Sequence, residues 1–352
     1  MAELLDYLTR SVEDNASDLF IIAGSPVCQK LDQRLCPIGE ERMMPSDTER
    51  LITDLYARAG RSMDLFMGRG DDDFSFALPG LARFRANTYR QRGSMAAVIR
   101  VVAFGIPDWQ EMGIPEEVIK LSQVRHGMIL VTGTAGSGKS TTQACIIDQI
   151  NRDRECHIIT MENPIEYLHR NYKSIVSQRE ISIDTEDYNS ALRACLRQAP
   201  DVVLLGEMRD PETIRTAMTA AETGHLLIAT LHTQGAVNTV DRIVDAFPSD
   251  QQAQVRIQLS MVLHTVVSQQ LLQTVDGKLA PAFEVMHVNN GIRSLIRDSK
   301  SHQIDNAIAA GGAEGMISMD QSIFSLYKAG RISKETALSS SDHPEQLQRR
   351  LG

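Results

Sequence analysis

The chain has 352 residues, a formal net charge of −9, and 42% hydrophobic, 23% charged and 5% aromatic residues, a composition typical of soluble globular proteins with two or three domains. The acidic balance excludes a basic surface over the whole chain, although a local basic groove is compatible with it, and the scarcity of aromatic residues argues against stacking on single-stranded nucleic acid. We therefore predict no nucleic-acid partner, and no apolar stretch approaches the roughly 18 residues that a transmembrane helix needs.

Cysteine usage and the amino terminus both predict a cytoplasmic protein. The five cysteines form no C-x-x-C pair, which argues against a disulfide framework and against a four-cysteine zinc site. The first residues include acids and no basic segment, so they do not have the pattern of a signal peptide. We expect reduced and mostly buried thiols.

Residues 1–103 predict a small α+β domain with an antiparallel sheet. Apolar positions at helical spacing predict a helix over residues 3–14, and Pro45 predicts the start of a second helix with Ser46 or Asp47 as its cap. Short apolar or alternating runs predict strands over residues 19–23, 27–31, 72–78, 82–89 and 95–102.

Residues 104–115, punctuated by prolines, predict a linker to a second domain that spans residues 116–352. After a helix from Glu116, the predicted strands are 128–132, 157–161, 202–205 and 226–231, and the helices that follow them are 141–151, 188–197, 212–221 and 237–244. This order predicts an α/β domain with a mostly parallel sheet covered on both faces. We then expect a longer helix over 253–273, looser helical structure beyond Gly277 and a mobile polar tail over 339–349.

The most specific motif lies between the strand 128–132 and the helix that follows it. Gly133, Gly138, Lys139 and Ser140 satisfy the pattern G-x-x-x-x-G-K-[ST]. Glycines let backbone N–H groups surround a phosphate, and the helix N-terminus adds partial positive charge. Lys139 is placed to reach the β- and γ-phosphates of a nucleoside triphosphate, and Ser140 to ligate Mg²⁺. The residues predicted to bind the nucleotide are Gly133, Thr134, Gly136, Ser137, Gly138, Lys139, Ser140 and Thr141.

Two acids follow other strands of the same predicted sheet. In such sheets ligands bind outside the carboxyl ends of the strands. Glu166 comes shortly after strand 157–161, and Glu207 comes shortly after strand 202–205. Phosphoryl transfer to water needs one carboxylate to orient the water and another in the Mg²⁺ shell. Glu166 and Glu207 are the candidates for these tasks, whereas Asp210, directly before Pro211, predicts a helix cap.

Two histidines flank the strand 226–231 and are further candidates for the catalytic site. His225 precedes the strand and His232 follows it. Each also has a structural interpretation, because a polar residue at the end of a helix is ordinary and a histidine at the end of a buried strand can be a satisfied core residue. The residues alone leave both interpretations open.

A cluster of arginines stands out in the otherwise acidic chain. It consists of Arg83, Arg85, Arg90, Arg92 and Arg100. One interpretation is a solvated face of the predicted sheet. The other is that some of these arginines reach a nucleotide, even across a subunit boundary.

Several motifs together give the chain a family resemblance over nearly its whole length. They are residues 133–142 (GTAGSGKSTT), 163–166 (NPIE), 176–180 (VSQRE), 199–210 (APDVVLLGEMRD), 219–225 (TAAETGH), 230–233 (TLHT) and 291–298 (GIRSLIRD). The chain resembles the PilT-type ATPases of type IV pilus retraction, or twitching motility, in the secretion-ATPase superfamily. The resemblance implies a PAS-like N-terminal domain, a RecA-like P-loop ATPase domain, ATP and Mg²⁺ as cofactors, and a homohexamer.

The resemblance also implies roles for individual residues. Glu166 would be the base that activates water, Glu207 the Walker B acid acting on Mg²⁺, and His225 and His232 the pair that senses the phosphate. Arg92 and Arg100 would reach the nucleotide. The implied partners are an inner-membrane pilus platform protein and the pilus fibre, so the protein would lie in the cytoplasm at the inner face of the inner membrane, attached through those partners.

The chain departs from the usual family pattern at a few positions, and other functions stay open. Ala135 stands where proline is usual, Asn163 where aspartate is usual, and Phe20 where histidine is usual. The alternatives are a pilus assembly or type II secretion ATPase, a weakly hydrolysing regulatory relative of the motor, and a DNA-translocating motor. The absence of a four-cysteine zinc site weighs against the first, and the acidic balance weighs against the last.

Overall fold

The computed structural model describes residues 3–31, 34–102 and 105–351, which group into two compact units. The first unit contains the described residues up to Gly105 together with Glu166–Leu168, and the second contains residues 106–165 and those from His169 onward. The predicted boundary between residues 103 and 104 lies outside the described residues. No helix in the described ranges is both long enough and apolar enough to cross a bilayer.

The first unit is built on an antiparallel sheet with helices packed against it. Its strand order, within the part of the chain described, is β3-β2-β1-β6-β5-β4. The elements are α1 (Leu4–Glu13), β1 (Asp18–Ile21), β2 (Cys28–Leu31), β3 (Arg34–Pro37), α2 (Pro45–Ala59), α3 (Asp64–Arg69), β4 (Asp71–Leu78), β5 (Ala82–Gln91) and β6 (Ser94–Val102). The predicted α+β class of this unit is confirmed, while β3 was missed.

The start of α2 corrects the predicted cap. Pro45 occupies the first helical position, so the cap is Met44 rather than Ser46 or Asp47. Asp47 instead accepts a hydrogen bond from the Met44 backbone N–H at 2.8 Å, which satisfies one of the donors left open at a helix start.

A buried polar network joins helix and sheet inside the first unit. The Tyr56 hydroxyl donates to Asp72 Oδ2 at 3.0 Å and lies 2.8 Å from Thr88 Oγ1. Arg61 donates to both Asp72 oxygens, at 2.9 and 2.8 Å. Burial opposes the charge on Asp72, but the hydrogen bonds from Arg61 and Tyr56 outweigh it and lower the pKa of this carboxyl. Burial raises the pKa of Tyr56 to about 12.

The second unit is an α/β layer structure around a sheet ordered β13-β12-β7-β11-β10-β8-β9 within the described residues. All neighbours are parallel except β12 and β13. The strands are β7 (Gly127–Thr132), β8 (His157–Glu162), β9 (Ile175–Glu180), β10 (Val202–Leu205), β11 (Leu226–Leu231), β12 (Leu263–Gln273) and β13 (Leu279–His287). The helices are α4 (Glu116–Ile119), α5 (Lys139–Asp153), α6 (Tyr188–Cys195), α7 (Pro211–Glu222), α8 (Ala236–Asp245), α9 (Ser249–Val262), α10 (Asn290–Arg297), α11 (Ile304–Ala310), α12 (Met319–Lys328), α13 (Lys334–Ser340) and α14 (Pro344–Leu351).

The central strands are buried on both faces, as their continuous apolar runs predict. Met128 and Leu130 belong to the core cluster on one side of the sheet. Ile129 and Val131, which alternate with them, belong to the cluster on the other side. The predicted mostly parallel α/β fold is therefore confirmed. All five cysteines are free thiols, with Cys145 and Cys195 buried.

The predicted helix over 253–273 is wrong in its second half. Helix α9 ends at Val262, and Leu263 begins β12, which pairs with β7 on one side and β13 on the other. Thr265, Val266 and Val267 are β-branched and buried, so a slot between two strands suits them better than a helix does. The looser helical structure expected beyond Gly277 likewise begins with a strand, β13, and β9 was not predicted.

The polar tail is helical and docked rather than mobile. Asp320 Oδ1 accepts hydrogen bonds from Ser341 Oγ at 2.6 Å and from the Asp342 backbone N–H at 3.0 Å. Arg350 donates to Gln321 Oε1 at 2.8 Å and stacks over the Phe324 ring. The contacts to Asp320 and Gln321 involve polar side chains, which hydrophobic patterning does not reveal, and Leu347 of the same segment is buried in an apolar cluster.

Candidate active site

The phosphate-loop motif joins β7 to α5 through a turn that only glycine fits at two positions. Gly133 has φ 140°, and a Cβ there would lie 2.3 Å from the Gln269 backbone oxygen and 2.6 Å from Ser137 Oγ. Gly138 has φ 90°, and its Cβ would lie 3.0 Å from Gln269 Nε2. Gly133 is therefore required by close packing against backbone as well as by its conformation, and Gly138 by its conformation.

Lys139 is the first residue of α5 and is nearly buried, at 8% exposure. Its Nζ donates to the Gly133 carbonyl at 2.9 Å and to the Thr134 carbonyl at 2.8 Å. These bonds hold the ammonium group against the loop, where phosphate oxygens would be competing acceptors.

The loop and the strand and helix that flank it contain buried hydroxyl groups with unused hydrogen-bonding capacity. Ser137 Oγ, Thr132 Oγ1 and Thr142 Oγ1 are buried without a partner among the described residues. An unpaired buried hydroxyl costs free energy, so these groups are available to a polar ligand that reaches the loop. Gly136 belongs to the same turn, whereas Ser140 and Thr141 lie in the first turn of α5.

The parallel register brings His232 and Glu207 to the same edge of the sheet as the loop. Thr132 of β7 lies opposite Leu231 of β11, and Leu205 of β10 lies opposite Ala229. The loop, His232 and the segment Gly206–Glu207 therefore leave the sheet at the carboxyl ends of adjacent strands.

One carboxylate oxygen of Glu207 contacts two side chains, those of Arg209 and His232. Its Oε2 accepts from Arg209 Nε at 2.6 Å and lies 3.4 Å from His232 Nε2. The Glu207 side chain is 14% exposed, whereas that of Arg209 is 75% exposed. Tyr188 lies nearby, and its pKa is raised first by burial and then by the charges of Glu207 and Glu162. Sequence reasoning did not identify Arg209 or Tyr188 as part of this group.

A second acid, Glu162, lies at the same edge at the end of β8. Its Oε1 accepts from Thr160 Oγ1 at 2.6 Å and from Gln178 Nε2 at 3.3 Å. Gln178 lies in β9, the strand that was not predicted. Glu166 is exposed and belongs to the short segment Glu166–Leu168 that groups with the first unit.

His225 does not lie at the phosphate-loop edge. Its backbone oxygen accepts from the Gly127 N–H at 3.0 Å, which places it at the amino end of β7 and β11. The six residues of β11 lie between it and His232, a separation of seven residue steps or about 23 Å at 3.3 Å per residue. His225 Nδ1 lies 3.0 Å from the Ala220 carbonyl and 3.2 Å from Thr223 Oγ1. His225 therefore lies at the opposite edge of the sheet from His232 and closes the end of α7, and a catalytic role for it stays a prediction.

The arginines of the first unit lie on its sheet and at a hairpin turn. Arg100 pairs with Asp18 at 3.1 Å, and Arg85 pairs with Asp73 at 2.6 Å. Arg92 is exposed at φ 49° in the turn between β5 and β6. These ion pairs agree with the solvated sheet face that the sequence left open, and a nucleotide contact by Arg92 or Arg100 stays a prediction.

Predicted helix capping near the site is confirmed at α7. Asp210 Oδ1 accepts from the Thr213 N–H at 2.8 Å, and Pro211 takes the first helical position. Asp210 therefore caps the N-terminus of α7, directly after the segment that contains Glu207 and Arg209.

Comparisons with known proteins agree with this geometry. The family model described as "Type II/IV secretion system protein" matches residues 6–314. The chain is 40% identical to the type IV pilus retraction ATPase PilT of Pseudomonas aeruginosa over 97% of its length and 99% of that protein. It is 46% identical to a twitching motility protein of Neisseria gonorrhoeae, over 78% of this chain and 74% of that protein. A crystal structure of the pilus retraction motor PilT with bound ADP superimposes with a TM-score of 0.90 at 42% identity, covering 99% of this chain and 100% of that one.

Proposed function

This chain belongs to the type II/IV secretion system protein family, and on that premise we propose that it is a motor that hydrolyses ATP to power type IV pilus retraction. The observation that carries the proposal is the end-to-end similarity to PilT, in sequence and in fold. The phosphate loop, Glu207 and His232 at one sheet edge are the parts that an ATPase of this class needs.

We propose that the loop binds the phosphates of ATP through its backbone N–H groups and through Lys139. The Lys139 ammonium now bonds to the carbonyls of Gly133 and Thr134, and the β- and γ-phosphates would replace these acceptors with charged ones. The buried hydroxyl of Ser137 adds a donor beside them. Arg92 and Arg100 are proposed as further residues that reach the nucleotide.

Ser140 and Glu207 would hold Mg²⁺. A hydroxyl and a carboxylate oxygen, completed by phosphate oxygens and water, fit the oxygen-only preference of this ion. Bound Mg²⁺ would supply charge neutralisation of the phosphates. Within the protein, Arg209 and His232 both contact Oε2 of Glu207, so they would hold this carboxylate beside that ligand set.

Glu166 is proposed as the base that orients the attacking water, and His232 as the residue that reports on the phosphate. Glu166 is exposed, so its carboxylate is accessible to a water molecule and a substrate. His232 lies beside Glu207, so a change at the nucleotide can alter their hydrogen bond. His225 is proposed to act only through the end of α7, or through another subunit.

We further propose that the motor is a homohexamer whose partners are an inner-membrane pilus platform protein and the pilus fibre. The protein would then work in the cytoplasm at the inner face of the membrane. The PAS-like domain of residues 1–103, the linker 104–115 and the RecA-like domain of residues 116–352 are the proposed parts that move during turnover.

ATPase measurements on the purified oligomer test this function. The wild type should hydrolyse ATP, and Lys139→Ala and Glu166→Gln should lower the rate at least a hundredfold. Glu186→Gln, at another exposed glutamate, is the matched control and should keep the wild-type rate. A wild type no faster than Glu166→Gln would contradict the motor, and full turnover by Glu166→Gln would remove Glu166 as the base.

A cellular experiment separates retraction from assembly. Cells without the protein should keep surface pili that do not retract. Cells that lose their pili would instead indicate an assembly ATPase.

A weakly hydrolysing regulatory relative is the second candidate, and Asn163 is the observation that favours it. Asn163 stands where the family usually has aspartate. An Asn163→Asp variant that hydrolyses ATP many times faster than the wild type would support this alternative.

A further inference from the structure

One buried residue of a neighbouring strand, Gln269, supports the phosphate loop from below. Gln269 lies in β12 and is 2% exposed. Its Nε2 donates to the Ser137 carbonyl at 2.5 Å, across 132 positions of sequence. Because β12 pairs in parallel with β7, with Ser268 opposite Thr132, Gln269 comes level with the first loop residue.

The contact is close enough to exclude a side chain at Gly133 and leaves little space for one at Gly138. The Gln269 backbone oxygen occupies the space that a Cβ on Gly133 would need, at 2.3 Å. Its side-chain nitrogen occupies the corresponding space at Gly138, at 3.0 Å. Gln269 therefore lies beside both glycines of the motif and bonds Ser137, the residue before the second of them.

The orientation of the Gln269 amide follows from the hydrogen bond. Exchanging its nitrogen and oxygen would set two acceptors, Oε1 and the Ser137 carbonyl, against each other. In the observed orientation Oε1 has no partner among the described residues, and neither has the buried Ser137 Oγ. In this orientation the Gln269 amide bonds the loop backbone while its own Oε1 stays unpaired among the described residues. Ser137 Oγ is then open to a hydrogen bond from or to a ligand.

We propose that Gln269 is a positioning residue that holds residues 133–138 in the phosphate-binding conformation and thereby sets the affinity for nucleotide. The proposal rests on the ATPase function proposed above. Without the Gln269 amide, the Ser137 carbonyl is buried without this donor, and the loop must rearrange to satisfy it. Part of the binding free energy of a nucleotide would then be used to restore the loop.

Equilibrium binding of fluorescent ADP and ATP tests the proposal. Gln269→Ala should weaken both affinities about tenfold, the loss expected for one buried hydrogen bond. Gln269→Glu keeps the length but turns the donor into an acceptor facing the Ser137 carbonyl, so it should weaken binding further. The matched control is Gln270→Ala, because Gln270 is the next residue of β12 and faces the other side of the sheet.

Hydrogen exchange without nucleotide separates positioning from general destabilisation. In Gln269→Ala and Gln269→Glu, the amides of residues 133–141 should exchange faster, while those of β7, β11 and β12 keep wild-type protection. Loss of protection throughout the second unit would reduce Gln269 to a core residue and overturn the proposal. Wild-type affinity and wild-type loop exchange in Gln269→Glu would also overturn it.

The same experiments distinguish this proposal from the function on which it rests. If the wild type bound neither ATP nor ADP, the ATPase function would fail. Hydrogen exchange of the loop in the variants would still report whether Gln269 holds it.

Discussion

Glu207 and His232 lie 25 residues apart in the chain, yet Glu207 Oε2 and His232 Nε2 are 3.4 Å apart at the carboxyl edge of the sheet. The same oxygen accepts from Arg209 Nε at 2.6 Å. The Glu207 carboxylate thus contacts both His232, the proposed phosphate-sensing residue, and the long cationic side chain of Arg209. Any ligand that draws the carboxylate away must alter both contacts.

This relationship predicts different effects for the two partners. Glu207→Gln removes the charge proposed for the Mg²⁺ shell and should lower kcat at least a hundredfold, with ADP binding much less affected. His232→Ala removes only a neighbour of that carboxylate and should lower kcat about tenfold. Steady-state ATPase rates and fluorescent ADP titrations measure both. The control is His302→Ala, an exposed histidine; equal losses in all three variants would contradict the prediction.

A second prediction concerns the loop that follows His232. Ser268 Oγ accepts from the Gly235 N–H at 2.9 Å, and Glu284 Oε1 accepts from the Ala236 N–H at 2.7 Å. Ser268→Ala should loosen this loop and lower kcat several-fold, while the ATP affinity stays within about twofold. Ser339→Ala, at an exposed serine, should match the wild type. A Ser268→Ala variant that loses ATP affinity but keeps the wild-type kcat would refute the prediction that this loop acts on turnover and not on binding.

A third prediction concerns the stability of the first unit. Asp72→Asn should lower its free energy of unfolding by about 2 kcal/mol, because the buried carboxylate accepts from Arg61 and Tyr56. The pKa of Asp72 is lowered in the folded chain, so its contribution is present above the ordinary Asp value of about 3.9 and is lost as pH falls through the folded value.

Calorimetry of the variant at several pH values checks this point. The difference between wild type and Asp72→Asn should be largest at neutral pH and shrink in acid. Asp71→Asn changes the exposed neighbour and should leave unfolding unchanged; an equal effect of both substitutions would show that the network is not responsible.

A fourth prediction has the opposite dependence on pH. Burial raises the pKa of Glu284 to about 7, so ionising it costs stability progressively as pH rises from about 4.5, near the ordinary Glu value, to about 7. Glu284→Gln keeps an acceptor for the Ala236 N–H. It should therefore stabilise the second unit at pH 8 by about 1–3 kcal/mol and have little effect at pH 4.

Thermal melts of Glu284→Gln at both pH values provide the measurement. Glu345→Gln, at an exposed glutamate of α14, is the comparison. A stabilisation by Glu284→Gln that does not change between pH 4 and pH 8 would exclude ionisation as its cause.

The sequence by itself determined the phosphate loop, the parallel strands around it and the acid after β10. These features depend on local constraints: continuous apolar runs for strands buried on both faces, and glycines with Lys139 and Ser140 at a fixed spacing. The motifs also sufficed to identify the family, because several of them occur together and in a fixed order along the chain.

The tertiary structure alone decided which residues meet around that loop. β12 was predicted as part of a helix, since its apolar residues suit either structure until its neighbours β7 and β13 are known. Gln269 and Tyr188 therefore entered the site only through strand pairing and long-range packing, whereas Arg209 meets Glu207 from two residues away. The position of His225 at the far edge, in contrast, already follows from the predicted strand 226–231, because residues before and after one strand leave a sheet at opposite ends.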